Sequence, residues 1–287
     1  MYKSFAAGHI GIKLDGFERH LAMARKYGYG ALEYSVGALE AEGIDAFKAL
    51  DLMGQYGVII SDFGLPVQFR NIDDFNKSFP NLEKAARFAA GLGIRRTCTW
   101  MLSFSNDLDF ADNFRYHTKV FRLIAEVLRE YGILFGVEFL GPKSILNSGK
   151  YKFIHTFEQM LELCDAVGTG NMGVLLDAHH CYCSGLPGGD FKKYVRNEKD
   201  LTVVHLNDDS GTIAPEDLKD SPRYYPGEPG GGGNDLNGFM NALAEIGYTG
   251  PVVVEPFSEG LKAIECADEK AKIIADATAS VWVKVSG

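Results

Sequence analysis

Four of the later apolar runs in the chain each carry, at or near their end, a side chain able to hold a metal ion. LFGVEFLGP carries Glu138, GVLLDAHH carries Asp177, LTVVHLND carries His205 and PVVVEPF carries Glu255. A charged group at the end of a buried strand is costly unless it is paired or coordinates a cation. Three carboxylates brought to one place repel one another, and a divalent ion resolves that repulsion. An oxygen-rich set with one imidazole suits Mn²⁺, Mg²⁺ or Co²⁺ as well as Zn²⁺. Any one of these residues could instead cap a loop or pair with a base. The same feature in four successive units favours a shared purpose.

The alternation along the chain says how the four could meet. Short runs of strand type alternate with amphipathic helical stretches. Strands are expected at Ser4–Ala7, Ala31–Tyr34, Val58–Phe63, Thr97–Trp100, Ile133–Phe139, Gly173–Leu176, Leu201–Leu206 and Pro251–Val254. Helices are expected near 17–27, 44–56, 81–92, 112–131, 156–167, 191–196, 236–246 and 261–281, with Thr156 as an N-cap. Eight strand–helix units predict an α/β fold, a single (β/α)8 TIM barrel over residues 1–287. In such a barrel every strand end points to one face, so the four side chains would ring a common mouth. A doubly wound open sheet would need edge strands, whereas these runs are uniformly apolar. No G-x-G-x-x-G follows the first strand and there is no P-loop, which removes the simplest nucleotide-binding versions.

Composition narrows the partners. The 287 residues include 29 Lys and Arg against 38 Asp and Glu, a net charge of −9. That argues against nucleic acid or an anionic membrane, both of which need clustered basic residues. Of the five cysteines, Cys181 and Cys183 form C-x-C with no second pair to complete a zinc site, so reduced, packed thiols are expected. The N-terminal residues hold no continuous apolar h-region, and no run approaches the roughly 18–20 apolar residues of a membrane span. The expected compartment is the cytoplasm.

Most of the chain, and above all Gly136 to Phe257, resembles the xylose-isomerase-like barrel superfamily in its sugar phosphate isomerase/epimerase branch. That branch includes ketose 3-epimerases and inosose dehydratase. The matching pieces are GVEFLGP, HTFEQMLELCDAVGTGNMGVLLDAHH, VVHLNDD, the glycine-rich PGEPGGGG with Asp235, and GYTGPVVVEPF. The resemblance implies that Glu138, Asp177, His205 and Glu255 hold one divalent cation, manganese first, with magnesium, cobalt or zinc as the others. It also implies that Glu138 and Glu255 are the catalytic pair. One removes the proton next to a carbonyl to give an enediolate, and the other returns one. Return on the opposite face gives a 3-epimer, and return on the neighbouring carbon gives aldose–ketose isomerisation. Loss of a β-hydroxyl gives a dehydratase. The family's D-x-x-H is matched by Asp177 and His180, so His180 would reach the substrate or a metal-bound water, with His179 pointing elsewhere. Asp208 would either orient a ligand from behind or cap a loop. The implied partner is a small sugar or cyclitol, and a homo-oligomer is compatible with the family.

Other positions carry two readings each. Arg223, in DSPRYYPGEPGGGG, either clamps a substrate oxygen or is a solvated loop arginine. Glu33 and His9, near the ends of the first two strands, either touch substrate or serve the structure. Trp100 and Phe63 either wall the pocket or belong to the core. Glycines 230–233 lack the Lys-Ser/Thr of a phosphate cradle and read as a mouth loop able to act as a lid. That lack points to a free sugar or cyclitol. His20, His117 and His155 read as surface or helix-cap residues. A DNA-repair endonuclease of the same superfamily would need additional histidines and a late D-x-H, both missing here. The alternatives kept are a lyase (inosose or dehydroshikimate dehydratase, or a 3-keto C-glycoside deglycosidase subunit) and a non-enzymatic carbohydrate-binding barrel.

Overall fold

The structure, a computed structural model, describes residues 1–283; residues 284–287 of the expected domain lie outside it. The strands are Tyr2–Phe5 (β1), Ala31–Glu33 (β2), Ile59–Gly64 (β3), Arg96–Met101 (β4), Phe104–Ser105 (β5), Leu134–Phe139 (β6), Tyr151–Lys152 (β7), Met172–Asp177 (β8), Leu201–Leu206 (β9) and Pro251–Val254 (β10). Eight of them close a parallel barrel in the order β1-β2-β3-β4-β6-β8-β9-β10, with β10 returning to β1. The chain therefore forms the single (β/α)8 TIM barrel that the alternation predicts. β5 and β7 pair antiparallel as a separate ribbon. It joins the loops that follow β4 and β6, and two residues per strand are too few to leave a periodic trace in the sequence.

The helices are Phe17–Lys26 (α1), Val36–Ala41 (α2), Ala46–Tyr56 (α3), Ile72–Ser78 (α4), Leu82–Gly91 (α5), Phe110–Glu130 (α6), Lys143–Leu146 (α7), Phe157–Val167 (α8), Ala178–Cys183 (α9), Leu236–Glu245 (α10), Glu259–Lys262 (α11) and Ala267–Ser280 (α12). Their starts are set by side-chain caps. Thr156 accepts from the Gln159 N–H as expected, and Asp45, Asp109 and Asp235 do the same for α3, α6 and α10. Two expected helices differ. Phe191–Arg196 shrinks to a 3₁₀ turn at Asp190–Lys193, and the closing helix is split into α11 and α12. The turn follows a Pro187-Gly188-Gly189 stretch and runs straight into Asn197, which caps the next turn, so no room remains for a full helix.

Two interior glycines let neighbouring segments approach closely. A Cβ at Gly136 would fall on the Thr202 hydroxyl, and one at Gly173 on the Lys199 carbonyl. The main core lies between the strands and the helix ring. Phe63 belongs to it, fully buried and one residue out of phase with inward-facing Asp62. It therefore cannot wall the pocket, because successive strand side chains point to opposite faces.

His117 is buried, not a surface residue. It shares the inner face of α6 with Asn113, Val120, Phe121 and Ile124, packed among the rings of Phe69, Phe121 and Phe153. Burial lowers its pKa to about 4, against about 6.5 in an unfolded chain. The folded protein thus resists protonation that the unfolded chain accepts. This contribution is fully present above pH ~6.5 and is lost as pH falls toward 4, by about 3 kcal/mol in all. His117→Phe should lose less stability than the wild type between pH 7 and 4.5 in thermal unfolding; parallel curves would refute the assignment.

Candidate metal centre

Cys98, Leu175 and Val203 form a small apolar layer inside the barrel. Two residues further along β4, β8 and β9 stand Trp100, Asp177 and His205, on the same inward face. Glu138 joins them, since it pairs in register with Trp100, and Asp177 pairs with His205. Glu255 follows β10 directly, its N–H donating to the Leu206 carbonyl at 3.1 Å. Asp177 is also the N-cap of α9, its Oδ1 accepting from the His180 N–H at 3.0 Å. An N-cap carboxylate reaches the third residue of its helix, which accounts for the D-x-x-H spacing.

One potential ligand atom from each of Glu138, Asp177, His205 and Glu255 lies within 4.8 Å of the others. His205 Nδ1 is 3.1 Å from Glu255 Oε2 and 3.9 Å from Glu138 Oε1. Glu138 Oε1 is buried with no hydrogen-bond partner. Such an orphaned acceptor is costly, and a cation at the centre of the cluster would satisfy it. Three carboxylates and one imidazole thus fit a divalent metal ion in both chemistry and placement.

The two glutamates are pulled apart electrostatically. Burial, with Asp177 and Glu255 behind it, pushes the Glu138 carboxyl well above its usual range. Burial would also raise Glu255, but His205, His9 and Arg223 outweigh it and hold that carboxyl ionised. His205 is pushed up to about 10: burial opposes this, and Glu255 followed by Glu138 overcomes it. A divalent cation would itself favour ionised Glu138. Two titratable groups driven in opposite directions are suited to giving and taking a proton.

Arg223 is 2% exposed and is no solvated loop residue. Its Nη1 donates to Asp177 Oδ2 at 3.2 Å and Glu255 Oε2 at 3.1 Å, and its Nη2 to Asp220 Oδ1 at 2.6 Å. The guanidinium also lies 4.4 Å over the Phe257 ring. It is a counter-ion to the buried acids. His180 is fully buried beside it, with Nδ1 accepting from the Gly141 N–H at 3.3 Å. Its Nε2 faces the donor Nη2 of Arg223 at 3.2 Å and lies 3.7 Å from Glu138 Oε1. Burial and Arg223 hold the His180 pKa well below its usual range.

His9 and Glu33 meet at the mouth. His9 Nε2 is 3.4 Å from Glu33 Oε2 and 3.6 Å from Glu255 Oε1. Trp100 is 44% exposed there, with Arg70 stacked on its ring. Asp208 does not stand behind a metal-ligating side chain. Its carboxylate accepts from the backbone N–H groups of Asp209, Gly232 and Asn234 and so pins the glycine-rich loop. A short carboxylate so close to its own backbone satisfies loop donors first. The residue behind Asp177 is Asn207, whose Nδ2 donates to Asp177 Oδ2 at 2.8 Å while its Oδ1 accepts from the His179 N–H. His179 points away from the cluster, onto Asp209 Oδ1 at 2.5 Å. Asp62 was also not singled out from the sequence. It lies inside the barrel against Ser61 and Cys98, and burial, then Glu33, raises it to about 7.

No described helix is long and apolar enough to cross a membrane. The chain is 30% identical over 162 residues to an inosose isomerase of Halalkalibacterium halodurans, covering 56% of this chain and 52% of that protein. The match thus spans about half the length of that relative. A xylose isomerase domain protein from Alicyclobacillus acidocaldarius has the same fold, with a TM-score of 0.83 at 24% identity over 98% of both chains. So does the IOLI protein, solved with a bound zinc atom, with a TM-score of 0.79 at 21% identity over 98% of both chains. The sequence pattern of a further group, described as the xylose isomerase-like TIM barrel, matches residues 21–280, nearly the whole barrel, and this chain belongs to that family.

Proposed function

We propose that this protein is a divalent-metal-dependent isomerase or epimerase of a small polyol ketone, a sugar or cyclitol, acting by proton transfer next to the carbonyl. The observation that carries the reading is the pair Glu138 and Glu255, gathered with Asp177 and His205 so that one ligand atom of each lies within 4.8 Å of the others. The four residues would hold the cation, with Mn²⁺ as the first choice and Mg²⁺, Co²⁺ or Zn²⁺ as alternatives. When bound, it would polarise the substrate carbonyl and stabilise negative charge on the neighbouring oxygens.

The chain's own residues move the proton. Glu255, kept ionised by His205 and Arg223, takes the proton α to the carbonyl at a carboxylate oxygen. Glu138 returns a proton from the other side, with the His180 ring held beside its Oε1 by Arg223 and Gly141. Asn207 and Arg223 keep Asp177 and Glu255 from swinging away. His9, Glu33 and Trp100 border the substrate.

The test is hydrogen exchange. Protein loaded with Mn²⁺ is incubated in D₂O with free ketoses, sugar phosphates, inososes and 3-keto-glycosides, and each mixture is followed by NMR. Deuterium next to a carbonyl together with a new epimer or isomer is the expected result. Loss of water or of an aglycone would replace the isomerase by a lyase. No exchange with any member at full metal occupancy would overturn the reading.

A further inference from the structure

Two guanidiniums overlie aromatic rings close to the cluster, and their surroundings differ sharply. Arg223 lies over Phe257, and its donors are taken by Asp177, Glu255 and Asp220. Arg70 lies 4.1 Å over the Trp100 ring and 5.5 Å from that of Phe69. Among the described residues it makes no ion pair and no side-chain hydrogen bond, in a protein with nine more acids than bases. Burial lowers its pKa, with no acidic neighbour opposing that. A guanidinium that lies over a ring and has no acidic partner keeps N–H groups available to a planar or tetrahedral oxyanion.

Trp100 places this charge relative to the chemistry. It pairs in register with Glu138 on the next strand and faces inward. Neighbouring strands are ~5 Å apart, so the exposed indole of Trp100 lies between Glu138 on the next strand and Arg70 over its ring.

We propose that Arg70, seated on Trp100, is an oxyanion subsite, and that the preferred substrate carries a carboxylate or phosphate at the end away from its reacting carbons. This rests on the isomerase reading for the position of those carbons. It replaces the expectation of an uncharged sugar drawn from the lack of a phosphate loop. The subsite needs no such loop, because a side chain and not a backbone cradle supplies the donors.

Three matched ligands test it with Mn²⁺-loaded protein: fructose, fructose 6-phosphate and the 6-carboxylate of the same ketose. Binding is read by calorimetry and proton transfer by deuterium exchange. Wild type is expected to bind at least one charged ligand tenfold or more tightly than fructose. Arg70→Gln should reduce that ratio at least tenfold, through KM and not kcat where exchange occurs, and Arg70→Lys should restore part of it. Which charged ligand gains identifies phosphate or carboxylate. The same ratio in wild type and Arg70→Gln, or no binding by either charged ligand, overturns the subsite. Arg70-dependent binding without exchange leaves the subsite standing and removes the isomerase reading. Exchange that ignores Arg70 does the reverse.

Discussion

Glu138→Gln and Glu255→Gln are each expected to lower turnover by about 10²–10⁴-fold, the range that a positioned acid or base supplies. The barrel should remain folded, because Gln keeps the shape and both side chains stand above the apolar core. The loss should not be symmetrical in exchange. With one carboxylate gone, the remaining one can still wash deuterium into the face that it serves, so one epimer exchanges and the other does not. Metal content measured on the same samples separates the two roles of each residue. A variant that keeps its metal and loses exchange has lost its proton carrier. Full turnover in either variant would sink the two-carboxylate scheme.

The second large effect is expected at Arg223. Arg223→Met keeps much of the length and apolar bulk but removes the positive charge that Asp177 and Glu255 share. Removing one partner of a buried ion pair costs about 3–5 kcal/mol, which corresponds to roughly 10 °C in melting temperature for a domain of this size. Added Mn²⁺ should recover a large part of that loss, since a divalent ion at the cluster neutralises the same carboxylates. Arg223→Lys should fall between, because it restores charge without the fork that spans Asp177, Glu255 and Asp220. An unchanged melting temperature in metal-free Arg223→Met would mean that the arginine is not the counter-ion of these acids.

Barrel and cluster were legible in the sequence for one reason. Strands covered on both faces are largely apolar, so Glu138, Asp177, His205 and Glu255 stand out at or just past their ends. The orientation of His179 away from the site was equally accessible, because a helix sends adjacent side chains in different directions. What stayed hidden depends on the path of loops. Asn207 and Asp208 are neighbours of similar size and polarity, yet one steadies Asp177 and the other pins backbone twenty-odd residues on. Nothing in composition or spacing ranks them. Arg70 was hidden for the same reason, since only the turn after β3 brings it onto Trp100. His117 was misread although its i, i+3 and i+4 neighbours are apolar, because its polarity outweighed its position on the helix face.

The barrel is sealed by β1 lying beside β10. That seam brings His9 to within 3.6 Å of Glu255 across nearly the full length of the chain. Folding therefore cannot bring Glu255 to Glu138, Asp177 and His205 early. A chain synthesised from its N-terminus can pair β1 through β9 in turn, yet it leaves a gap one strand wide until β10 arrives. Until then β1 and β9 are unprotected edges, open to pairing with another chain. Ring closure and assembly of the four-residue cluster are one event, so binding of an ion by all four residues would report that the ring has closed.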